Sequence, residues 1–329
     1  MQPGVSGVSR FWSARRWGAA LLLCSAPVLA QNFPARPIRI VVPFPPGAAT
    51  DALARIVAQK LAEGFGETVV VDNRAGAGGI VGTDVVAKAV PDGHTLLMAS
   101  PSTAINASLY PRLPYDPQRD LAAVTLVAFL PNVLVANPGV AAANVRELIA
   151  LAKARPGQLN YASGGSGSAA HLAMELLKMT SGIDVLHVPY KGGGQAMSDL
   201  LGGQINLLFT SMFSAQPLVK AGKLRALGVA SAKRLTFAPD VPTIAESGLP
   251  GYEVTAWYGV MAPARTPPVN IARLHAEIAK GLRTPESEAR FAAQGAELVV
   301  STPAAFDAHF RAEITKWAKV VKATGAKVD

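Results

Sequence analysis

Short apolar segments alternate with amphipathic segments along most of this chain. Residues 38–42 form a continuous apolar run that stops at Pro43, and residues 51–65 follow with Leu53 and Leu61 on one helical face. The same alternation predicts further strands at 67–71, 95–99, 159–162, 185–189 and 205–210, and further helices at 80–89, 145–154, 169–180 and 194–201. The polar run at 100–103 is interpreted as a loop. The alternation predicts an α/β fold with largely parallel sheets.

A long apolar segment at 121–136 is expected to carry the chain from one lobe to another. A return is expected after the apolar segment 224–230. The predicted lobes are therefore 31–132 together with 231–329, and 133–230. Two crossings predict a closing hinge, because hinges occupy a few loop or element-terminal residues.

The first thirty residues have the pattern of a secretory signal peptide. A basic segment without acids precedes an apolar stretch that opens at Gly18, and residues 28–30 form a small-x-small cleavage site. The sequence therefore predicts a signal peptide at 1–30 that is cleaved after Ala30. The apolar run is shorter than the ~20 residues that a membrane span needs. Arg15 and Arg16 leave twin-arginine export open beside the general route.

Composition excludes several classes of function. Cys24 is the only cysteine and lies inside the predicted signal peptide, so the mature chain would have no disulfide and no thiolate site. The net charge of +9 comes from scattered basic residues, and aromatic residues are only 6% of the chain. This pattern disfavours nucleic acid as a partner. It leaves open whether the charge serves solubility alone or also draws anions into a cleft.

Four loops share one design, in which a strand ends, a Gly- or Ser-rich turn follows and a helix begins. They are residues 43–51, 73–79, 163–168 and 190–195. A helix N-terminus with free N–H groups favours an anion through hydrogen bonds and through the macrodipole. Ligands of open α/β sheets bind beyond the carboxyl ends of the strands, where all four loops would lie. Two loops fall in each predicted lobe, so we expect them to face each other across a cleft.

Motifs for nucleotide binding and for catalysis are incomplete. Residues 76–82 approach a dinucleotide fingerprint, but the last glycine comes one position late. The Gly-x-Ser-x-Gly frame around Ser166 ends on Ser168, and the histidines show no metal-ligand spacing. The sequence therefore predicts no catalytic residue, no metal and no cofactor, although an exported α/β hydrolase remains an alternative.

Together, the loop motifs resemble those of a known family, the substrate-binding receptors of tripartite tricarboxylate transporters (the Bug or TctC type). The first motif is Pro-Phe-Pro-Pro-Gly-x-x-x-Asp at 43–51, and the second is Asn-Arg-x-Gly-Ala-Gly-Gly at 73–79. Five further motifs follow in order, at residues 92–97, 163–172, 188–192, 221–225 and 256–259.

The resemblance implies a two-lobed α/β fold of the periplasmic-binding-protein kind (Venus-flytrap, type II) with a hinge between the lobes. It also implies a periplasmic monomer that binds a small carboxylate or related anionic metabolite without catalysis. Its membrane partners would be the permease subunits of such a transporter. A sensor that presents its bound state to a signalling partner remains an alternative with the same fold.

Loop positions and resemblance together predict a set of ligand contacts on both lobes. The predicted residues are Phe44, Pro46, Gly47, Ala48, Thr50, Asp51, Ala77, Gly78, Ser100, Ser102, Ser163, Gly164, Ser166, Gly167, Ser168, His171, Tyr190, Thr210 and Ser211. Three positions depart from the family pattern. Ala48 and Arg265 stand where glycine is usual, and Thr210 stands where Asp is common, which makes a ligand with an amino group less expected.

Overall fold

Most of the chain from residue 33 onward is described by the structure, a computed structural model. The predicted signal peptide and its cleavage site lie outside the described residues, except for Met1. The described residues are Met1, 33–47, 49–165, 168–190 and 193–326.

Strands and helices alternate through the described residues. The strands are β1 Ile38–Val42, β2 Val69–Asn73, β3 Thr95–Ala99, β4 Leu121–Leu130, β5 Asn132–Ala136, β6 Asn160–Ser163, β7 Leu186–Pro189, β8 Leu207–Ser211, β9 Arg225–Val229, β10 Ala256–Pro263 and β11 Glu297–Leu298. The helices are α1 Ala49–Phe65, α2 Ile80–Ala87, α3 Pro101–Leu109, α4 Val145–Ala154, α5 Ala169–Ser181, α6 Gly193–Leu201, α7 Met212–Lys220, α8 Pro268–Leu282, α9 Pro285–Ala292 and α10 Pro303–Thr324. None of the described helices combines the length and apolar character needed to cross a membrane.

The described strands form two mixed sheets. The first has the order β11-β4-β10-β3-β1-β2, and the second has the order β7-β6-β8-β5-β9. Only β3-β1-β2 and β7-β6-β8 are parallel, whereas β4, β10 and β11, and likewise β5 and β9, pair antiparallel to their neighbours. The prediction of largely parallel sheets was therefore only half right. In each sheet, the strand that the chain forms on crossing over from the other sheet is antiparallel to the parallel strands of that sheet. These strands are β10 in the first sheet and β5 in the second.

The apolar segment 121–136, which was predicted to cross between lobes, joins the two sheets. It forms β4 in the first sheet and β5 in the second, and Pro131 separates them because proline has no N–H for a strand ladder. The returning chain lies beside this crossing. The N–H of Ala230 donates to the carbonyl of Asn132 at 2.8 Å, and the N–H of Val254 donates to the carbonyl of Ala230 at 2.8 Å.

Residues 100–103, interpreted from sequence as a polar loop, instead start a helix. Ser100 is the extended N-cap of α3, and its N–H donates to Thr103 Oγ1 at 3.3 Å. Pro101 occupies the first helical position, where the absent N–H costs nothing. Strand β2 also begins two residues later than predicted, so it carries the chain as far as Asn73.

A buried carboxylate fastens the C-terminal helix α10 to the first sheet. Glu313 is 6% exposed, and its Oε2 accepts the indole N–H of Trp257 at 3.0 Å and that of Trp317 at 2.9 Å. Lys316 forms an ion pair with the same carboxylate. Helix α10 also packs on α3 and α5, so one hydrophobic core cluster contains side chains from both sheets' layers.

Substituting Glu313 tests how much this anchor stabilises the fold. Glu313→Ala leaves two buried indole N–H groups without an acceptor, and each unsatisfied group costs about 1–3 kcal/mol. We expect the free energy of unfolding to fall by roughly 2–4 kcal/mol in urea titrations followed by tryptophan fluorescence. Glu313→Gln keeps an acceptor oxygen and should lose less. If both variants had the same free energy of unfolding as the native protein, the carboxylate would not be an anchor.

Candidate functional site

A cleft of about 490 Å³ lies at the carboxyl ends of β1, β3 and β6, beside the start of β10. Its walls come from segments that follow strands of both sheets. The described residues that line it are Phe44, Ala49, Thr50, Gly78, Ser100, Pro101, Ser102, Ile105, Asn106, Leu109, Tyr110, Gly164, Ser168, Ala169, Ala256 and Tyr258. This position is the one at which ligands of open α/β sheets bind.

Three helices begin at this cleft. Helix α1 contributes Ala49 and Thr50 from its first turn, α3 contributes Pro101 and Ser102, and α5 contributes Ala169. The N-terminus of a helix carries partial positive charge and N–H groups that have no partner within the helix. Three such ends around one cavity make it favourable for a negatively charged group.

Asp51 holds the first loop in shape rather than facing the cleft. Its Oδ2 accepts the N–H of Gly47 and the Nε–H of Arg55, both at 3.0 Å, and its Oδ1 accepts Asn73 Nδ2 at 3.1 Å. Burial alone would raise the pKa of this carboxyl, but the hydrogen bonds outweigh it and hold the pKa below its ordinary value. Asn73 Nδ2 also lies 3.1 Å from the carbonyl of Phe44, which lines the cleft.

The second loop packs against helix α3. Asn106 Nδ2 donates to the carbonyl of Gly78 at 3.1 Å, and a Cβ on Gly78 would lie 3.2 Å from Tyr110 Oη. Gly78 also has a φ of 63°, in the left-handed region that favours glycine. At the start of α3, Ser100 Oγ and Ser102 Oγ lie 3.1 Å apart and both residues line the cleft.

The described serines of the third loop differ in position, because one lines the cleft and the other is buried beneath the turn. Ser168 lines the cleft and caps α5, and its Oγ accepts the N–H of His171 at 3.3 Å. Ser163 is fully buried, and its Oγ accepts the N–H of Gly165 at 3.2 Å. The same Oγ lies 2.7 Å from His187 Nε2. Ser163 therefore stabilises the turn through hydrogen bonds of its buried side chain.

A serine hydroxyl beside a histidine is the pair that hydrolases use as nucleophile and base. Here the pair lies beneath the turn, and Ser163 has no exposed surface through which a substrate could reach it. His187 instead belongs to a stack of rings, with its centroid 4.1 Å from that of His171 and 4.8 Å from that of Tyr161. The Tyr161 hydroxyl donates to Glu175 at 2.6 Å, which completes a polar layer under the loop.

Two further predicted positions are engaged elsewhere. The Tyr190 hydroxyl donates to Asp199 at 2.6 Å, and the N–H of Tyr190 donates to the carbonyl of Ser163 at 3.0 Å. Ser211 caps α7, because its Oγ accepts the N–H of Ser214 at 3.2 Å. Both positions are partly exposed, but neither lines the cleft.

The structure brings together part of the predicted contact set. Those that line the cleft are Phe44, Thr50, Gly78, Ser100, Ser102, Gly164 and Ser168. Those that do not line it are Pro46, Gly47, Asp51, Ala77, Ser163, His171, Tyr190, Thr210 and Ser211. Ala48, Ser166 and Gly167 lie outside the described residues.

Sequence reasoning missed most of one wall of the cleft. The missed residues are Ala49, Pro101, Ile105, Asn106, Leu109, Tyr110, Ala169, Ala256 and Tyr258. Four of them lie on α3 and a fifth, Tyr110, is its C-cap, and the polar sequence at the start of this helix concealed it. The Ser-Pro pair that opens α3 was the available signal, since serine is a favoured N-cap and proline a favoured first residue.

Charged side chains are absent from the described lining of the cleft, and the described ranges contain no group of three or more His, Cys, Asp or Glu residues placed to hold a metal ion. Arg265, whose position sequence left open, lines a separate cavity of about 380 Å³ with Arg119 and Asp120. That cavity lies where β10 ends and β4 begins, away from the cleft.

A family model described as the tripartite tricarboxylate transporter family receptor matches residues 53–326. Protein BugT of Bordetella pertussis is 44% identical over 306 residues, which cover 92% of this chain and 94% of that protein.

Solved structures match the chain at similar coverage. An R. palustris protein solved with adipate has 36% identity and a TM-score of 0.77, covering 90% of this chain and 100% of that one. MatC from Rhodopseudomonas palustris, solved with bound malate, has 32% identity and a TM-score of 0.74, covering 88% and 100%.

The partly buried histidine stack predicts a loss of stability in mild acid. Burial, and then the adjacent His171, lower the pKa of His187 to about 4, well below the ordinary value of 6.5. Between these two values the unfolded chain takes up a proton that the folded chain does not, so the free energy of unfolding falls as the pH is lowered through this range. One such group contributes a slope of at most ~1.4 kcal/mol per pH unit.

Replacing the histidine tests this slope. We expect His187→Gln, which cannot titrate, to flatten the dependence of the free energy of unfolding on pH between 6.5 and 4. Urea titrations at several pH values measure it. An unchanged slope would mean that His187 is protonated equally in both states.

Proposed function

The chain belongs to the tripartite tricarboxylate transporter receptor family, and we propose that it captures a small carboxylate in the described cleft and delivers it to the permease subunits of such a transporter. Receptors of this family are periplasmic solute-binding proteins. The family confirms two predictions made from sequence, namely the two-lobed α/β fold of periplasmic binding proteins and the absence of catalysis.

The observation that carries the carboxylate proposal is the convergence of three helix N-termini on one cavity. Hydroxyl groups of Thr50, Ser102 and Ser168 stand beside those ends. A carboxylate can accept hydrogen bonds from backbone N–H and hydroxyl groups together, and each bond to a charged group contributes about 1.5–3 kcal/mol. Two similar proteins were solved with carboxylates, adipate in one and malate in the other, which supports the same class of ligand here.

Closure of the cleft would complete the capture. The proposed lobes are 31–132 together with 231–329, and 133–230, and they would rotate about the crossings at Pro131 and near Ala230. Ser168 and Gly164 stand on one side of the cleft, and the first turns of α1 and α3 stand on the other. One anion needs donors from both sides, so ligand would favour the closed arrangement.

Substitution of Ser168 tests the proposed site. Ser168→Ala removes one hydroxyl and should weaken carboxylate binding about ten- to a hundredfold. Ser168→Asp should weaken it further, because it places a negative charge where the ligand's charge would lie. A melting-temperature screen of small carboxylates identifies a binder, since a ligand that binds only the native state raises the apparent stability. Calorimetric titration of that binder then compares the variants.

Thr302→Asp is the matched control, because Thr302 caps α10 with the same geometry and its Oγ1 accepts the N–H of Ala305 at 3.2 Å. Aspartate is a good N-cap, so both Asp variants should keep their helices. Thr302→Asp should leave affinity unchanged. If Ser168→Asp binds as tightly as the control, Ser168 is only a cap and the proposed carboxylate position is wrong.

Small-angle X-ray scattering tests the proposed closure. We expect the radius of gyration to decrease when the protein is saturated with the carboxylate found in the screen, because rotation about the crossings brings the lobes together. A radius that stays the same at saturating ligand would contradict a hinge between these lobes.

A further inference from the structure

Helix α3 forms one wall of the cleft along its whole length. Pro101, Ile105 and Leu109 repeat every four residues and make an apolar row, and each of them lines the cleft. Residues four apart lie on one face of a helix. At about 1.5 Å per residue, this row extends for roughly 12 Å from the N-terminus of the helix.

A second, more polar row runs beside the first, but its polar atoms are partly used by the protein. Ser102, Asn106 and Tyr110 form it. Asn106 Nδ2 donates to the carbonyl of Gly78, and Ser102 Oγ lies 3.1 Å from Ser100 Oγ. Beyond the first turn of α3, this wall therefore offers a ligand mostly apolar surface.

The surfaces of the cleft outside α3 are also mainly apolar. Phe44, Ala256 and Tyr258 line the cleft with apolar or aromatic surface, and Tyr258 is 8% exposed. The described lining carries no charged side chain. A hydroxylated or charged ligand body would lose water here without gaining equivalent partners, which is costly.

The cleft thus has two different ends. The first is formed by the start of α3, its serines and the first turns of α1 and α5. The second is the apolar row that leads away from them along α3. We propose that the preferred ligand is a carboxylate with an apolar body, aliphatic or aromatic, that lies along the Pro101–Ile105–Leu109 row. This inference rests on the proposed function and narrows its ligand class. Family membership does not decide it, because related proteins were solved with adipate, which has an apolar body, and with malate, which is short and hydroxylated.

The test compares straight-chain carboxylates of increasing length. Butanoate, hexanoate and octanoate form one series, succinate, adipate and suberate form a second, and malate is the hydroxylated comparison. We expect calorimetric affinity to rise about two- to fourfold per added methylene in at least one series, as burial of CH₂ groups predicts. Malate should bind more weakly than adipate.

Leu109→Gln tests whether the row on α3 produces this increase. We expect the gain per methylene to fall below about twofold, because the added methylenes then lie beside a polar side chain. Leu176→Gln is the matched control, because Leu176 belongs to the same core cluster and is 9% exposed against 7% for Leu109, but it does not line the cleft. The control should lose stability and keep the gain per methylene.

The outcomes separate the two proposals. A flat or falling series in the native protein, or malate binding more tightly than adipate, overturns the apolar ligand class while leaving a carboxylate receptor intact. If the gain per methylene is the same in Leu109→Gln as in Leu176→Gln, the assignment to α3 is overturned. Failure of every carboxylate to bind overturns the proposed function itself.

Discussion

A strand followed by a helix on the next layer places the helix N-terminus at the edge where the strand ends, and the site of this protein depends on that geometry. The β1–α1, β3–α3 and β6–α5 units belong to two sheets, yet their helices begin around one cavity. The backbone thereby supplies positive potential to the cleft. The charged side chain nearest to it in the first loop, Asp51, is used instead to hold the turn through Gly47, Arg55 and Asn73.

Sequence patterns predicted those elements for which the hydrophobic periodicity and the residues of the flanking turns indicate the same structure. Strands β1 and β3 have their predicted bounds, and the long apolar segment 121–136 forms a strand of each sheet. The patterns failed at α3, because a Ser-Pro-Ser-Thr run is equally suited to a loop and to a capped helix start. They also could not distinguish a polar side chain that faces a cavity from one that fixes a turn. Ser168 and Ser163 share one loop, but only Ser168 lines the cleft.

Helix α3 and helix α10 connect this site to the rest of the molecule. Helix α3 presents one face to the cleft and packs with the other against α10, which itself packs on α5. The two sheets are therefore joined by packed side chains as well as by the two chain crossings.

The position of β10 has a consequence for how the chain acquires its structure. This strand lies between β3 and β4 in the first sheet, and Gly259 pairs with Ala99 across about 160 intervening residues. Its tryptophan is then fastened to Glu313, near the end of the chain. Contacts so distant in sequence slow folding, because long loops must close before the contacts form. The centre of the first sheet therefore cannot form until β10 has been synthesised, which is later than every strand of the second sheet.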